Sequence, residues 1–353
     1  MARNRSTHTG SARATRHVGR ETCLAILIIT ATGGCAVVRN YRANVHVHRG
    51  DAMLAANRMD DAYHEFEEAA RLAPQKPEPH TRMGLIHKER GELDRAIRSF
   101  AEALRLDPTS FDDTFNLAQL YQMTQRIADA IRAYLYAIDL RPDDFDATLN
   151  LGVCYQQSGQ LEQAVHQFEQ AVKLEPQHPQ GFVNLGVALD AQKRYYEAVR
   201  AYKEALERDE HQPLVLVNLA RTYMHQDRLR MARSALEQAI SLKPELAGAH
   251  EALGYCLFRL RDFDAAKEAY QRALLYDWRL PQAYAGLGSI SMLRFVENKN
   301  SIEDRDKALE YWHRSLELNP DQPRLRQLIA AYRPERESPT AALLEATSAS
   351  RAD

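Results

Sequence analysis

Four asparagines keep step along this sequence: Asn116, Asn150, Asn184 and Asn218, each 34 residues after the last. An asparagine amide carries donors and an acceptor together, so it can pair at once with the N–H and the C=O of an extended peptide. That is chemistry for recognition rather than for bond-making. Catalytic spacings are missing. His64-Glu65 and His250-Glu251 start an HExxH pattern but lack its second histidine, and Gly286-x-Gly288 has no preceding strand, as a dinucleotide loop requires. Cys154 and Cys256 hold equivalent places three periods apart, too far to meet. No CxxC or Cys/His ligand spacing offers a metal site. The expectation is a protein that is not an enzyme and needs no cofactor or metal.

The asparagines sit in a repeating frame. Phe145 to His178 is one 34-residue unit. Leu151, Gly152, Tyr155, Ala164, Phe168, Ala171 and Pro176 recur in kind one period upstream and downstream. The first four-residue-spaced set falls on one face of a helix A and the second on one face of a helix B. Small residues such as Gly152 and Ala164 let the two helices approach, while Tyr155 and Phe168 fill the space beside them. Ser158-Gly159-Gln160 makes the turn, and Pro176 ends helix B because proline cannot continue the hydrogen-bond ladder. One such hairpin cannot bury its apolar face alone, so copies must stack.

This spacing at this period resembles the tetratricopeptide repeat (TPR). The resemblance covers residues 43–322 as eight units, beginning at Ala43, Pro77, Phe111, Phe145, Pro179, Pro213, Ala247 and Pro281. It implies an all-α solenoid coiled as a right-handed superhelix. The eighth unit departs from the pattern: Gly288 to Ala308 spans 20 residues where the other units use 12. Its eight extra residues lie within Arg294–Lys307, read as an extension of the turn or a charged binding loop. Residues 323–333 read as a polar-faced capping helix, and 334–353, rich in Ala, Ser and Glu, as a disordered tail.

Charge divides the chain. Residues 1–42 hold seven arginines and one acid, so a chain of net charge −2 carries −8 on the rest. That balance argues against nucleic acid as a partner. The arginine-rich start and the uncharged Cys23–Val38 stretch read as a secretory signal. Thr32-Gly33-Gly34-Cys35 resembles a bacterial lipobox, with Cys35 the lipidated residue and Thr32 where leucine is preferred. The alternative is an uncleaved single-pass inner-membrane anchor, since Glu21–Val38 is close to spanning length. Either way 1–35 is a targeting or anchoring segment, 36–42 a linker, and the repeats sit outside the cytoplasm on a membrane, at the bacterial periplasm or outer membrane.

In the TPR family the concave groove is lined by helix A, and the resemblance puts the four asparagines there in a row. A similar asparagine ladder lines the TPR superhelix of the O-linked N-acetylglucosamine transferases, whose catalytic domain this chain lacks. Asparagine is also common at this place in TPR sequences, so a peptide clamp and a solvated consensus residue both stand as readings. Leu149, Val153, Val183, Val187 and Val217 flank the row, and Tyr255, Phe258 and Arg259 are aromatic and cationic contacts further along. The acidic or neutral Asp112, Asp146 and Gln180 rule against a carboxylate clamp for chaperone termini. The function expected is a membrane-tethered TPR scaffold that binds a protein or extended peptide in its groove, in envelope assembly or secretion. Self-association, or service as an accessory subunit of a glycosyltransferase-type enzyme, is the alternative.

Overall fold

The structure, a computed structural model, describes residues 36–333. The signal, lipobox and anchor readings, with Cys35, and the tail at 334–353 lie outside the described residues. Among those described every regular element is a helix. The chain divides into two compact units that meet at Ser158 and Gly159.

The first unit holds α1 (36–55), α2 (Met59–Leu72), α3 (Glu78–Glu89), α4 (Leu93–Leu106), α5 (Phe111–Met123), α6 (Ile127–Leu140) and α7 (Phe145–Gln157). The second holds α8 (Leu161–Leu174), α9 (Pro179–Ala191), α10 (Tyr195–Arg208), α11 (Pro213–His225), α12 (Leu229–Leu242), α13 (Ala247–Arg259), α14 (Phe263–Tyr276), α15 (Pro281–Glu297), α16 (Ile302–Leu318) and α17 (Pro323–Tyr332). Within each unit successive antiparallel pairs stack, and each B helix also packs on the A helix that follows. This is the solenoid class of helical repeats.

Local signals set the helix ends. Ser110 and Asp144 cap α5 and α7 by accepting from the backbone N–H of Asp113 and Ala147. Prolines open α9, α11, α15 and α17, where the missing N–H costs nothing. Inside the hairpins a small helix A residue lies against an aromatic of helix B. A Cβ added to Gly50, Gly84, Gly186 or Gly254 would come within 2.5, 2.9, 2.6 or 2.6 Å of Phe66, Phe100, Tyr202 or Tyr270. Those rings are buried at the centre of their hairpins.

Two expectations are corrected. Residues 36–42, read as a linker, belong to α1. They contain neither Gly nor Pro, and the helix carries on directly into the buried Ala43 and Val47. The Arg294–Lys307 insertion is neither a loop nor a long turn. α15 and α16 each run to 17 residues, against 13 and 14 in α13 and α14. The insertion adds about one helical turn to both arms of the hairpin. Phe295 keeps the added turn against the cluster of Met292, Ala308 and Trp312, and Arg294 pairs with Asp264 of α14 at 2.6 Å. The same cluster takes Leu325 and Ile329 of α17, whose other face, with Arg324, Arg326 and Gln327, is exposed.

Two glycines of α13 test this packing with opposite signs. Gly254→Ala should lower stability by about 1–3 kcal/mol, the cost of overpacking against Tyr270. Gly248 has nothing within 4 Å of an added Cβ, so Gly248→Ala should stabilise by about 0.5–1 kcal/mol through helix propensity. Thermal midpoints of the two variants measure this; shifts in the same direction would refute the close-approach account.

Candidate functional site

Each asparagine of the row stands at the sixth place of an A helix, half-buried. Asn116 and Asn150 belong to α5 and α7 in the first unit, Asn184 and Asn218 to α9 and α11 in the second. Their surroundings differ. The Asn116 amide is occupied: its Nδ2 donates to the Asp112 carbonyl and its Oδ1 accepts from Lys88 Nζ, both at 2.8 Å. Lys88 also donates to Gln119 Oε1 at 2.6 Å, and burial lowers its pKa. Asn184 Oδ1 accepts from Gln180 Nε2 at 2.9 Å, leaving its Nδ2 to offer. The Asn150 and Asn218 side chains hold no hydrogen bond among the described residues.

Of the flanking apolar residues, Val153 and Val187 are half-buried. Leu149 and Val217 are buried and belong to the core. Phe115 and Val183, at the same place before their asparagines, are half-buried. Phe258 packs edge-on against Phe263 at 5.5 Å between ring centroids and is half-buried. Tyr255 is 46% exposed, with the Arg259 guanidinium 6.0 Å from its ring centroid. Arg259 is itself tied down, donating to Asp227 Oδ1 at 2.6 Å and the Met224 carbonyl at 3.1 Å.

Two cavities open on the A helices of the second unit. One, of about 490 Å³, is lined by Arg221, Met224, His225, Glu251, Tyr255 and Arg259, among others. The next, of about 410 Å³, is lined by Glu251, Tyr255, Phe258, Tyr270, Gly286 and Ser289, among others. Glu251 and Tyr255 belong to both. The Glu251 carboxylate lies 3.6 Å from the Arg221 guanidinium, beyond hydrogen-bond range. Burial lifts its pKa above the ordinary glutamate range, and Arg221 opposes the shift.

Reading motifs weighed Glu251 only as half of an HExxH and Gly286 only as the start of a dinucleotide loop. The columns of the repeat carried the signal. Glu251 stands where the other units have Val47, Thr81, Phe115, Leu149, Val183, Val217 and Ala285, and Gly286 where four units have asparagine. His250 has a packing role: Nε2 lies 2.8 Å from the Pro244 carbonyl and the ring stacks on Tyr276. Cys154 and Cys256 are buried free thiols, the first pushed up to about 11 by burial and so inert as a nucleophile. Among the described residues no group of three or more His, Cys, Asp or Glu could hold a metal, and no helix is long and apolar enough to cross a membrane.

Residues 27–283 match the family described as cilia and flagella-associated protein 70 C-terminal domain. The fold is similar to the C-terminal part of a TPR repeat-containing protein from Cytophaga hutchinsonii, with TM-score 0.58, 21% identity, and 68% of this chain and 99% of that one covered. It is equally similar to a tetratricopeptide repeat protein from Parabacteroides merdae, with TM-score 0.58, 15% identity, and coverage of 73% and 99%. The Cut9–Hcn1 hetero-tetramer of the APC/C also matches, with TM-score 0.54 and 16% identity over 81% of this chain and 55% of that one. No curated protein matches the sequence.

The lifted Glu251 pKa makes a pH prediction. The folded chain holds this proton more tightly than the unfolded chain, so the residue favours folding at low pH. That contribution is full below the unfolded value of about 4.3 and is lost as pH rises through the raised folded value. Glu251→Gln should therefore raise the thermal midpoint at pH 7, and its advantage should shrink to nothing as the pH falls below the unfolded value. Melting curves of both chains from pH 3 to 8 provide the check, and a midpoint lowered at pH 7 would refute the reading.

Proposed function

We propose that the chain, which belongs to the tetratricopeptide-repeat family of the cilia and flagella-associated protein 70 C-terminal domain, is a non-catalytic scaffold that binds an extended protein segment along its A helices. The observation that carries this reading is the state of the helix A face in the second unit. There Asn218 keeps a half-buried amide without an internal partner, Asn184 has its Nδ2 free to donate, and exposed Tyr255 stands over two cavities. An amide held this way loses water without gaining a partner, and a peptide backbone would supply both the donor and the acceptor it lacks. The half-buried Val187 adds apolar contact beside it. Asn116, already paired with Lys88 and its own helix, contributes less.

The scaffold is tethered to a membrane by its N-terminal segment, through lipidation of Cys35 or through the Glu21–Val38 stretch as an anchor, and works outside the cytoplasm at a bacterial envelope. A tether raises the local concentration of partners at that surface. The reading for the tether rests on the sequence of the first 42 residues: seven-arginine charge bias, apolar run and cysteine after small residues. α17 presents a polar outer face at the end of the array, which favours a hetero-partner over end-to-end stacking of copies.

Two experiments test the halves separately. Cross-linked capture from detergent-solubilised membranes should recover a partner with the wild-type chain and lose it with Asn184→Ala/Asn218→Ala. Two amide contacts of about 1 kcal/mol each weaken binding about thirtyfold. Equal capture by both would place recognition elsewhere, and capture of the chain alone would favour self-association. For the tether, Cys35→Ser should abolish incorporation of a labelled fatty acid and release the chain from membranes. A chain that stays membrane-bound without label would indicate the uncleaved anchor.

A further inference from the structure

The asparagine row ends where the second cavity opens. Ala252 follows Asn218 in the column and Gly286 follows Ala252. At Gly286 the missing side chain is structural: an added Cβ would lie 2.3 Å from Tyr270 Cζ and 2.8 Å from its hydroxyl. Tyr270 of α14 therefore reaches beneath α15 into the space an asparagine would otherwise occupy. The result is a pocket of about 410 Å³, within the range of about 300–1,000 Å³ that small groups use.

Its lining is selective. Tyr255 and Phe258 from α13 and Tyr270 from α14 supply three aromatic rings, and Ser289 of α15 adds a hydroxyl. Among the described residues that line it, Glu251 is the only charged one. Its side chain is 18% exposed, and its carboxylate has Arg221 nearby, at 3.6 Å, with the Arg221 side chain itself 52% exposed. A carboxylate taken out of water with so loose a partner is under-compensated. The other cation of the neighbouring cavity, Arg259, is committed to Asp227 and to the Met224 carbonyl. A half-buried anion among aromatic rings is the environment that a cation gains from, by ion pairing and by the ring quadrupoles.

We infer that this pocket between α13 and α15 receives a lysine or arginine side chain from the extended segment bound along the second unit, with Glu251 as its counter-ion and Tyr255, Phe258 and Tyr270 around it. The inference rests on the groove reading above and adds the chemistry of the partner: its backbone pairs at Asn184 and Asn218, and a basic residue enters where the amide row stops.

Random peptides displayed on phage and selected on the immobilised full-length chain test it, followed by fluorescence anisotropy of the selected peptides. The selected sequences should share a lysine or arginine. Replacing that residue by glutamine in the peptide, or Glu251 by Gln in the protein, should each weaken binding about tenfold or more, as expected for a charge-assisted pair. The two changes together should cost little more than either alone, since both remove one interaction. Tyr255→Ala, at an exposed position, should weaken the basic peptide about threefold and leave the thermal midpoint unchanged. Peptides sharing an acidic residue or no charge, or losses that simply add, would overturn the inference. If binding depends on Asn184 and Asn218 but is indifferent to Glu251, the groove reading survives and the pocket assignment fails. If no peptide is selected, or selected peptides ignore both sets of variants, both fail together.

Discussion

Most hairpins within each unit depend on an A helix backbone lying directly on an aromatic ring of the B helix. Glycine in a helix interior costs about 1 kcal/mol relative to alanine, while burying a phenylalanine or tyrosine ring stabilises by about 1.5–3 kcal/mol. The exchange favours folding because Phe66, Phe100, Tyr202 and Tyr270 are buried nearly completely against Gly50, Gly84, Gly186 and Gly254. Where alanine takes the small place, at Ala118 and Ala220, the partners are Tyr134 and Leu236, again without exposure. The last hairpin uses the largest ring. Trp312 lies on Gly288, and its indole N–H donates to the Ala285 carbonyl at 3.2 Å, so its polar edge is satisfied inside the pair. With hairpin geometry fixed this way, each B helix offers a similar face to the next A helix, and stacking follows.

The small-and-large spacing made the helices and their pairing legible in the sequence, because both depend on residue size at fixed intervals. The turns were less so. Seven successive hairpins put a left-handed residue at the same place after helix A, at Asn57, Gly91, Gln125, Gly159, Lys193, Asp227 and Arg261, and only two of these are glycine. The strain on the others is met by the backbone: Arg126, Arg194 and Arg228 N–H bond to the carbonyls of Tyr121, Leu189 and Tyr223 at 2.8, 2.9 and 2.9 Å, closing the helix end. A rule that looks for Gly–Pro punctuation sees two of the turns. The eighth unit misled for the converse reason. Counting residues against the period measures an insertion but not its conformation, and a charged stretch without Gly or Pro can lengthen two helices as readily as a loop.

The candidate site was legible as a column and not as a set of partners. The asparagine row followed from the period alone, but Lys88 reaching Asn116 is a contact between side chains 28 residues apart, set by how neighbouring hairpins pack. The same holds for Arg221 beside Glu251. Intervals in the sequence locate a face, and the neighbours then decide which groups on it remain free.

In a repeat array the consensus residues are spent on the frame, since each must serve the same contact in every copy. Specificity must therefore sit at the departures, and a departure is most informative when two coincide in space. Glu251 breaks an otherwise uncharged column, and Gly286 stands in a column that is polar in six of its eight repeats; they fall in different repeats, yet line one cavity. Burial works against the carboxylate, so Glu251 serves the frame no better than an uncharged residue would, whereas Gly286 serves it by making room for Tyr270, which an ordinary side chain would displace. Gln322, placed by its bonds to Ser315 and Asn319, also lines this cavity, so the segment leading into the capping helix closes one side of it. The frame thus ends in a pocket whose chemistry is unlike that of the repeats that build it, where the row of backbone-pairing amides gives way to a place for a single side chain.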